Sequence, residues 1–266
     1  SDGRAESLQQ LEDYFYEVWN DKCVSKKKGK KPSEYTEAHA HMEEVYASLL
    51  KKYKDIETYS DWEKDTIEVN KITLVDNGVH ASRKRPQVLQ TIQYLSDNAD
   101  HVIIQTPYVI CNGYMYDVLQ QISDHAKLQI VLNAVEKGSN PWGCTDYLNQ
   151  KKRILKTGAD VYELMNEYPV HTKAVLIDDR LSVVGSYNLD MRSTYLDTEL
   201  MLVIDSEKLN QQIRATESDY MEKSKEVLAD GHETEGAKYK KKILNRQKKI
   251  YYSVLRLLIR PLRQLL

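Results

Sequence analysis

The chain has 266 residues, 41% of them hydrophobic and 29% charged, with a formal net charge of −2. That balance reads as a soluble globular protein of one or two domains with a sizeable core, and the absence of any apolar run of ~18 residues excludes a spanning helix within it. Cys23, Cys111 and Cys144 are odd in number, far apart and outside any C-x-x-C pattern; this excludes a disulfide framework and fits a reducing cytoplasm. The near-zero charge hides an asymmetry. Residues 237–266 hold ten Lys and Arg and no Asp or Glu, leaving the other 236 residues with 28 basic against 40 acidic side chains, a net of −12. Such a body argues against a nucleic-acid partner.

The chain opens Ser-Asp-Gly without an initiator Met, which leaves room for an upstream signal, anchor or domain. Residues 1–70 read as helical and charged. Leu8, Leu11, Phe15, Val18 and Trp19 recur at helical spacing, a lysine-rich loop follows over 22–31 and closes at Pro32, and Met42, Val45, Tyr46, Leu49, Leu50 and Tyr53 form a second stripe. From Lys71 onward strands and helices alternate. Strands are expected at 72–75, 102–106, 128–133, 160–164 and 199–204. Helices are expected at 86–98, 114–126 and 145–156, with a polar helix from Ser206 into the 220s. This alternation predicts an α/β fold, a mixed β-sheet flanked by helices on both faces, over residues 71–230. It sits between a helical N-terminal segment, 1–70, and a C-terminal basic helix, 231–266. In that last segment Ile243, Gln247, Ile250, Val254, Leu258 and Leu262 share one face and cations fill much of the rest. The pattern fits an anionic membrane surface; the alternative is an apolar face packed on the domain with the cations solvated, and one helix can do both, its stripe docked and its basic face toward lipid.

The most informative stretch is His171 to Arg192, HTKAVLIDDRLSVVGSYNLDMR. It fits H-x-K-x4-D-x6-G-S-x-N, with His171, Lys173, Asp178, Gly185, Ser186 and Asn188 in the fixed places; chance would give this on the order of once in 10^5 chains of this length. The apolar run 174–177, a turn at Asp178-Asp179-Arg180 and a second run 181–184 predict a hairpin. Strand alternation puts His171 and Lys173 on one side, and the return arm carries Gly185, Ser186 and Asn188 back toward them. An imidazole, an ammonium and an amide converging on one point suit a phosphodiester: a nitrogen nucleophile or acid, with donors for the non-bridging oxygens.

These residues resemble the HKD motif of the phospholipase D superfamily, and the continuation Asn188 to Ser193, N-L-D-M-R-S, is similar to its bacterial cardiolipin synthase branch. The segment Tyr14 to Asn20 looks like one that these synthases carry after their first HKD motif, which would make this chain a C-terminal half. The resemblance implies two such motifs whose histidines meet across a pseudo-two-fold axis. One histidine attacks phosphorus to give a phosphohistidine and the other protonates the departing alkoxide; with one motif in view the two roles stay undivided. It further implies a glutamate against the imidazole, and Glu199 stands at that offset. The implied activity is a phosphatidyltransferase on phosphatidylglycerol, with no metal or other cofactor, at the cytoplasmic face of a membrane. Catalytic candidates are therefore His171, Lys173, Asp178 and Glu199, and phosphate-binding candidates Lys173, Ser186 and Asn188. For Asp178, at the hairpin turn, a structural role weighs at least as much as a catalytic one. Asp190 and Arg192 are expected to form a local ion pair and cap.

Other histidines offer less. His125-Ala126-Lys127 repeats H-x-K, but Leu132 stands where Asp belongs and Gly138-Ser139-Asn140 lacks the spacer; His125 reads as closing a helix. His39 and His41 lack ligand-spaced companions and read as surface. A second imidazole is thus expected either from a missing N-terminal HKD half or from a homodimer. The alternatives are a one-motif dimeric phosphodiesterase or nuclease, and a non-catalytic lipid-binding half.

Overall fold

The computed structural model describes residues 3–25, 36–54, 62–79 and 84–265. They group into two compact units, Ser1–Phe15 with Val69–Leu266, and Tyr16–Glu68. The second unit contains the end of α1 (Gly3–Trp19), then α2 (Thr36–Lys52) and α3 (Trp62–Asp65). The stripe expected on α2 does share a face, yet α2 buries none of its residues. Most of the lysine-rich loop, with Pro32, and His80 lie outside the described residues.

The larger unit is built on a nine-stranded mixed sheet. In chain order its strands are β1 (Lys71–Asp76), β2 (His101–Gln105), β4 (Lys127–Asn133), β5 (Asp160–Leu164), β6 (Ala174–Ile177), β7 (Leu181–Gly185), β9 (Leu200–Asp205), β10 (Ser224–Val227) and β11 (Glu233–Glu235). Side by side they run β1-β9-β7-β6-β2-β4-β5-β10-β11. Only β2, β4 and β5 pair in parallel; the neighbours on both sides are antiparallel. Two short strands, β3 (Val109–Ile110) and β8 (Leu189–Asp190), pair separately.

The central strands are near-continuous apolar runs because both faces are covered. Alternation sorts them: Val102 and Ile104, Leu128 and Ile130, and Val175 and Ile177 enter the larger core cluster, whereas Ile103, Val131 and Leu176 enter a smaller one on the other face. The helices α4 (Gln87–Ser96), α5 (Gly113–Ser123) and α6 (Pro141–Leu155) supply the larger cluster. The long helix α8 (Glu207–Glu222) brings Ile213, Tyr220 and Met221 to the smaller one. Helices therefore flank the mixed sheet on both faces, as the alternating pattern predicts.

Element edges differ where capping decides them. α6 starts at Pro141 rather than at 145, because the Asn140 side chain accepts from Trp142 N and Gly143 N and Pro141 suits the first turn. α8 starts after Ser206, whose hydroxyl accepts from Leu209 N. His125 follows α5, and its Nε2 lies 2.8 Å from Ser96 O, a structural contact between two helix ends.

The C-terminal segment departs most from expectation. Residues 231–266 are not one helix: Glu233–Glu235 pairs with β10, and only Arg246–Leu258 forms the α-helix, α9, before a 3-10 turn at Arg260–Leu265. Nor does the expected stripe dock. Tyr252, Leu255 and Ile259 are buried, while Ile243, Ile250, Val254, Leu258 and Leu262 are exposed. The segment is pinned to α6 by polar contacts as well. Arg263 Nε donates to Asp146 Oδ1 at 2.7 Å and its Nη2 to Cys111 O at 2.6 Å. Asp146 is fully enclosed, and burial pushes its carboxyl up while Arg263 opposes the shift.

This pair yields a stability prediction. Arg263→Met strands a buried carboxylate and should cost roughly 3 kcal/mol at neutral pH. Adding Asp146→Asn should recover part of the loss. Urea midpoints of the parent and the two variants check this; Arg263→Met as stable as the parent would contradict the pinning.

Candidate active site

The β6–β7 hairpin sets the site. β6 and β7 pair Ala174 with Val184 at its open end, so the residues just before β6 and just after β7 lie side by side. His171, Thr172, Lys173, Val184, Gly185, Ser186 and Asn188 line one open cleft there. His171 is exposed at the cleft, whereas Lys173 is only 8% exposed. The Lys173 Nζ lies 2.6 Å from His171 Nδ1 and donates to His171 O at 2.8 Å. Both residues precede the first residue of β6, but Gly185 N donates to Lys173 O at 3.3 Å, so the pairing runs one residue past the strand and keeps Lys173 on the hairpin.

Two flanking elements hold that loop. Asn133, the last residue of β4, accepts from Val170 N at 2.8 Å and donates to Val170 O at 2.8 Å and to Pro107 O at 3.2 Å. Thr106, just past β2, accepts from Leu189 N at 3.2 Å and donates to Tyr108 O at 3.0 Å. Neither residue was picked out from the sequence. A polar residue ending an apolar strand was the available signal.

Across the cleft, Ser186 N donates to Leu200 O at 3.0 Å and Leu200 N donates to Ser186 Oγ at 3.0 Å. The Ser186 hydroxyl in turn donates to Glu199 Oε2. Glu199 is thus buried behind the cleft and held by Ser186; it makes no hydrogen bond to His171, whose Nδ1 faces Lys173 instead. The carboxylate-to-imidazole contact implied by the motif is not made in this state.

Asn188 donates through Nδ2 to Ser193 Oγ at 3.2 Å, while its Oδ1 is enclosed without a partner. Exchanging the two ends of the amide would give Oδ1 the Ser193 hydroxyl and free Nδ2. Asp190 caps α7 (Met191–Tyr195) by accepting from Ser193 N at 2.5 Å. Its ion pair with Arg192 does not form: Arg192 pairs with Asp197 at 2.9 Å, because the cap turns Asp190 inward and leaves Arg192 at the surface.

Asp178 is placed away from the cleft. It occupies the hairpin turn with φ 44°, and its Oδ1 accepts from Asp100 N and His101 N, each at 2.9 Å. Five residue steps separate it from Lys173, about 17 Å at strand rise. It fixes the start of β2 to the hairpin, from a position outside the cleft. His39 pairs with Glu43 at 3.8 Å on the surface of α2.

The electrostatics follow from these contacts. Partial desolvation, and then the Lys173 ammonium, hold the His171 imidazole below the usual histidine range. Burial pulls the Lys173 ammonium down, opposed by the Glu199 and Asp190 carboxylates. Burial pushes Asp190 up to about 6. The cleft therefore presents an exposed imidazole, held below its usual range, beside a buried ammonium with carboxyl groups behind.

Residues 91–219 match the model of the family described as cardiolipin synthase, PLD-like domain. These residues form a phospholipase D-like domain. Over 144 residues the chain is 31% identical to cardiolipin synthase A of Klebsiella pneumoniae and 30% identical to that of Salmonella arizonae, covering 52% of this chain. The match spans only 28% of the length of those relatives. Among solved structures, the phospholipase D family member Nuc from Salmonella typhimurium aligns with a TM-score of 0.47 at 14% identity, over 62% of this chain and 98% of Nuc. Of the described residues in and around the domain, no helix is long and apolar enough to cross a membrane.

The titration of His171 tests this arrangement. Its midpoint, followed by NMR of the ring carbons, should lie below 6.5, the unperturbed value. Lys173→Met should raise it, since removing a cation favours the imidazolium. A native midpoint at or above the unperturbed value, unmoved by the substitution, would contradict the ammonium's role.

Proposed function

We propose that the phospholipase D-like domain is one half of a phosphatidyltransferase acting on phosphatidylglycerol, in the manner of a cardiolipin synthase. One observation carries this reading: the His171 imidazole lies 2.6 Å from the Lys173 Nζ in an open cleft that Ser186 and Asn188 also line. Only the neutral ring has a lone pair to offer phosphorus, so the depressed pKa suits His171 to the attacking role.

The chemistry runs as follows. An anionic phosphodiester draws the Lys173 ammonium off Nδ1 onto a non-bridging oxygen, and Asn188 turns its amide to donate to another. The freed ring nitrogen attacks phosphorus. The bond to the leaving glycerol oxygen breaks, a second imidazole protonates that alkoxide, and a phosphatidyl-histidine remains. The same second imidazole then takes the proton from an incoming alcohol, whose oxygen displaces His171 and restores the ring. Ser186 fixes Glu199, whose carboxylate keeps Lys173 charged against its burial.

The second imidazole comes from outside this motif, because the chain holds a single H-x-K-x4-D pattern. An HKD half elsewhere in a longer chain is the first candidate. A second copy of this chain is the other, and it would make the protein a one-motif dimeric phosphodiesterase. In either case the domain works peripherally at the cytoplasmic face of a membrane, where its lipid substrate lies.

The test is turnover of phosphatidylglycerol. The 266-residue chain as a monomer should be inert, and supplying a half with a first HKD motif should restore activity. In the complete enzyme His171→Asn should lower kcat by roughly 10^3-fold or more without changing the melting curve. Robust turnover by a demonstrated monomer would falsify the half-site reading. Activity confined to a homodimer would assign the phosphodiesterase instead.

A further inference from the structure

The C-terminal segment carries an apolar face that the fold leaves open. Tyr252, Leu255 and Ile259 dock it on the body. Polar contacts on the docked side fix the rotation of α9: Arg256 Nε donates to Asn149 Oδ1 at 2.8 Å and its Nη2 to Leu148 O at 3.3 Å. At about 100° per residue, Ile250, Val254, Leu257 and Leu258 then emerge on the far side. They are 56%, 53%, 64% and 57% exposed, so this face is left uncovered by the described residues. α9 is thus apolar on two faces, and among the described residues only one has a partner.

Charge narrows what the second face meets. Lys240, Lys241 and Lys242 precede α9, Arg246 and Lys249 border its exposed face, and residues 237–266 contain no acidic side chain. Two copies meeting through this face across a two-fold axis would set these cations against one another. Apolar side chains ringed by cations alone complement an anionic bilayer, where the side chains sink to the acyl boundary and the cations meet phosphates.

The segment is also tied to the cleft. Arg263 donates to Cys111 O, directly after β3, and β3 pairs through Val109 and Ile110 with Leu189 and Asp190, which follow Asn188 in the chain. A surface that seats α9 therefore holds the strand pair that carries Asn188 into the cleft.

We propose that α9 is an interfacial helix that seats the domain on an anionic lipid surface, with Ile250, Val254, Leu257 and Leu258 in the headgroup boundary. This deepens the reading of a lipid substrate and rests on it for its purpose, while the binding itself needs no turnover.

Co-sedimentation of the full chain with vesicles tests it, using phosphatidylcholine alone and phosphatidylcholine mixed with phosphatidylglycerol. The parent should bind the mixed vesicles about tenfold or more tightly than the neutral ones, with the preference shrinking in high salt. Val254→Glu with Leu257→Glu changes only exposed side chains; it should leave the melting curve intact and remove most of the binding. His171→Asn should bind like the parent, so failure of the chemistry and failure of the docking stay distinguishable. Unchanged binding by the Glu variant, or equal binding to both vesicle types, would overturn the proposal. So would a parent dimer that the same variant converts to monomer with no vesicle binding in either protein, which would assign the face to a second copy.

Discussion

The cleft depends on one close approach, that of Gly185 to the β9 backbone. A Cβ on Gly185 would stand 2.1 Å from Leu200 O and 2.9 Å from Met201 Cα, so no side chain fits. Because glycine fits, β7 and β9 stay paired to the end of β7, and Ser186 exchanges hydrogen bonds with Leu200. That exchange aims the Ser186 hydroxyl at Glu199 and leaves the chain free to turn Asn188 back beside Lys173. The spacing between Gly185, Ser186 and Asn188 is thus a geometric requirement: one residue to close the sheet, one to hold the carboxylate and one to reach the cleft.

The electrostatic arrangement rests on that geometry. Burying an ammonium is costly, and desolvation alone would drive Lys173 toward its neutral form. Glu199 and Asp190 oppose this, and Lys173, after partial desolvation, helps hold the His171 imidazole below its usual range. The carboxylates therefore act on the imidazole through the lysine. The Lys173 Nζ lies on the His171 ring nitrogen, so a phosphate that competes for the ammonium would free that nitrogen.

Much of this is written in local sequence. The hairpin follows from two apolar runs around Asp178-Asp179-Arg180, and the alternation within β2, β4 and β6 follows from their apolar continuity. What the sequence hides is which neighbour a side chain finds. Asn133 and Thr106 act on residues 37 and 83 positions away, so a polar strand end marks their place but not their partners. Glu199 stands at the spacing that the resemblance implies, yet its contact is with Ser186. Asp178 shares the motif but belongs to the turn, since a residue at φ 44° whose carboxylate accepts two backbone amides is held by the backbone. α9 shows the limit of periodicity. A helix with two apolar faces gives two valid stripes, and only the partners Leu148, Asn149 and Asp146 decide which one docks.

Central to the proposed chemistry is a phosphodiester that displaces Lys173 from His171 and takes its ammonium. Nitrogen-15 NMR of the His171 ring, with glycerophosphoglycerol titrated into the full chain, tests this most directly. Binding should shift the Nδ1 resonance as its ammonium donor departs and should raise the ring's midpoint, because an anion has replaced the cation's influence; Lys173→Met should abolish both changes. A ring resonance indifferent to the ligand, or one that responds equally without Lys173, would contradict the account.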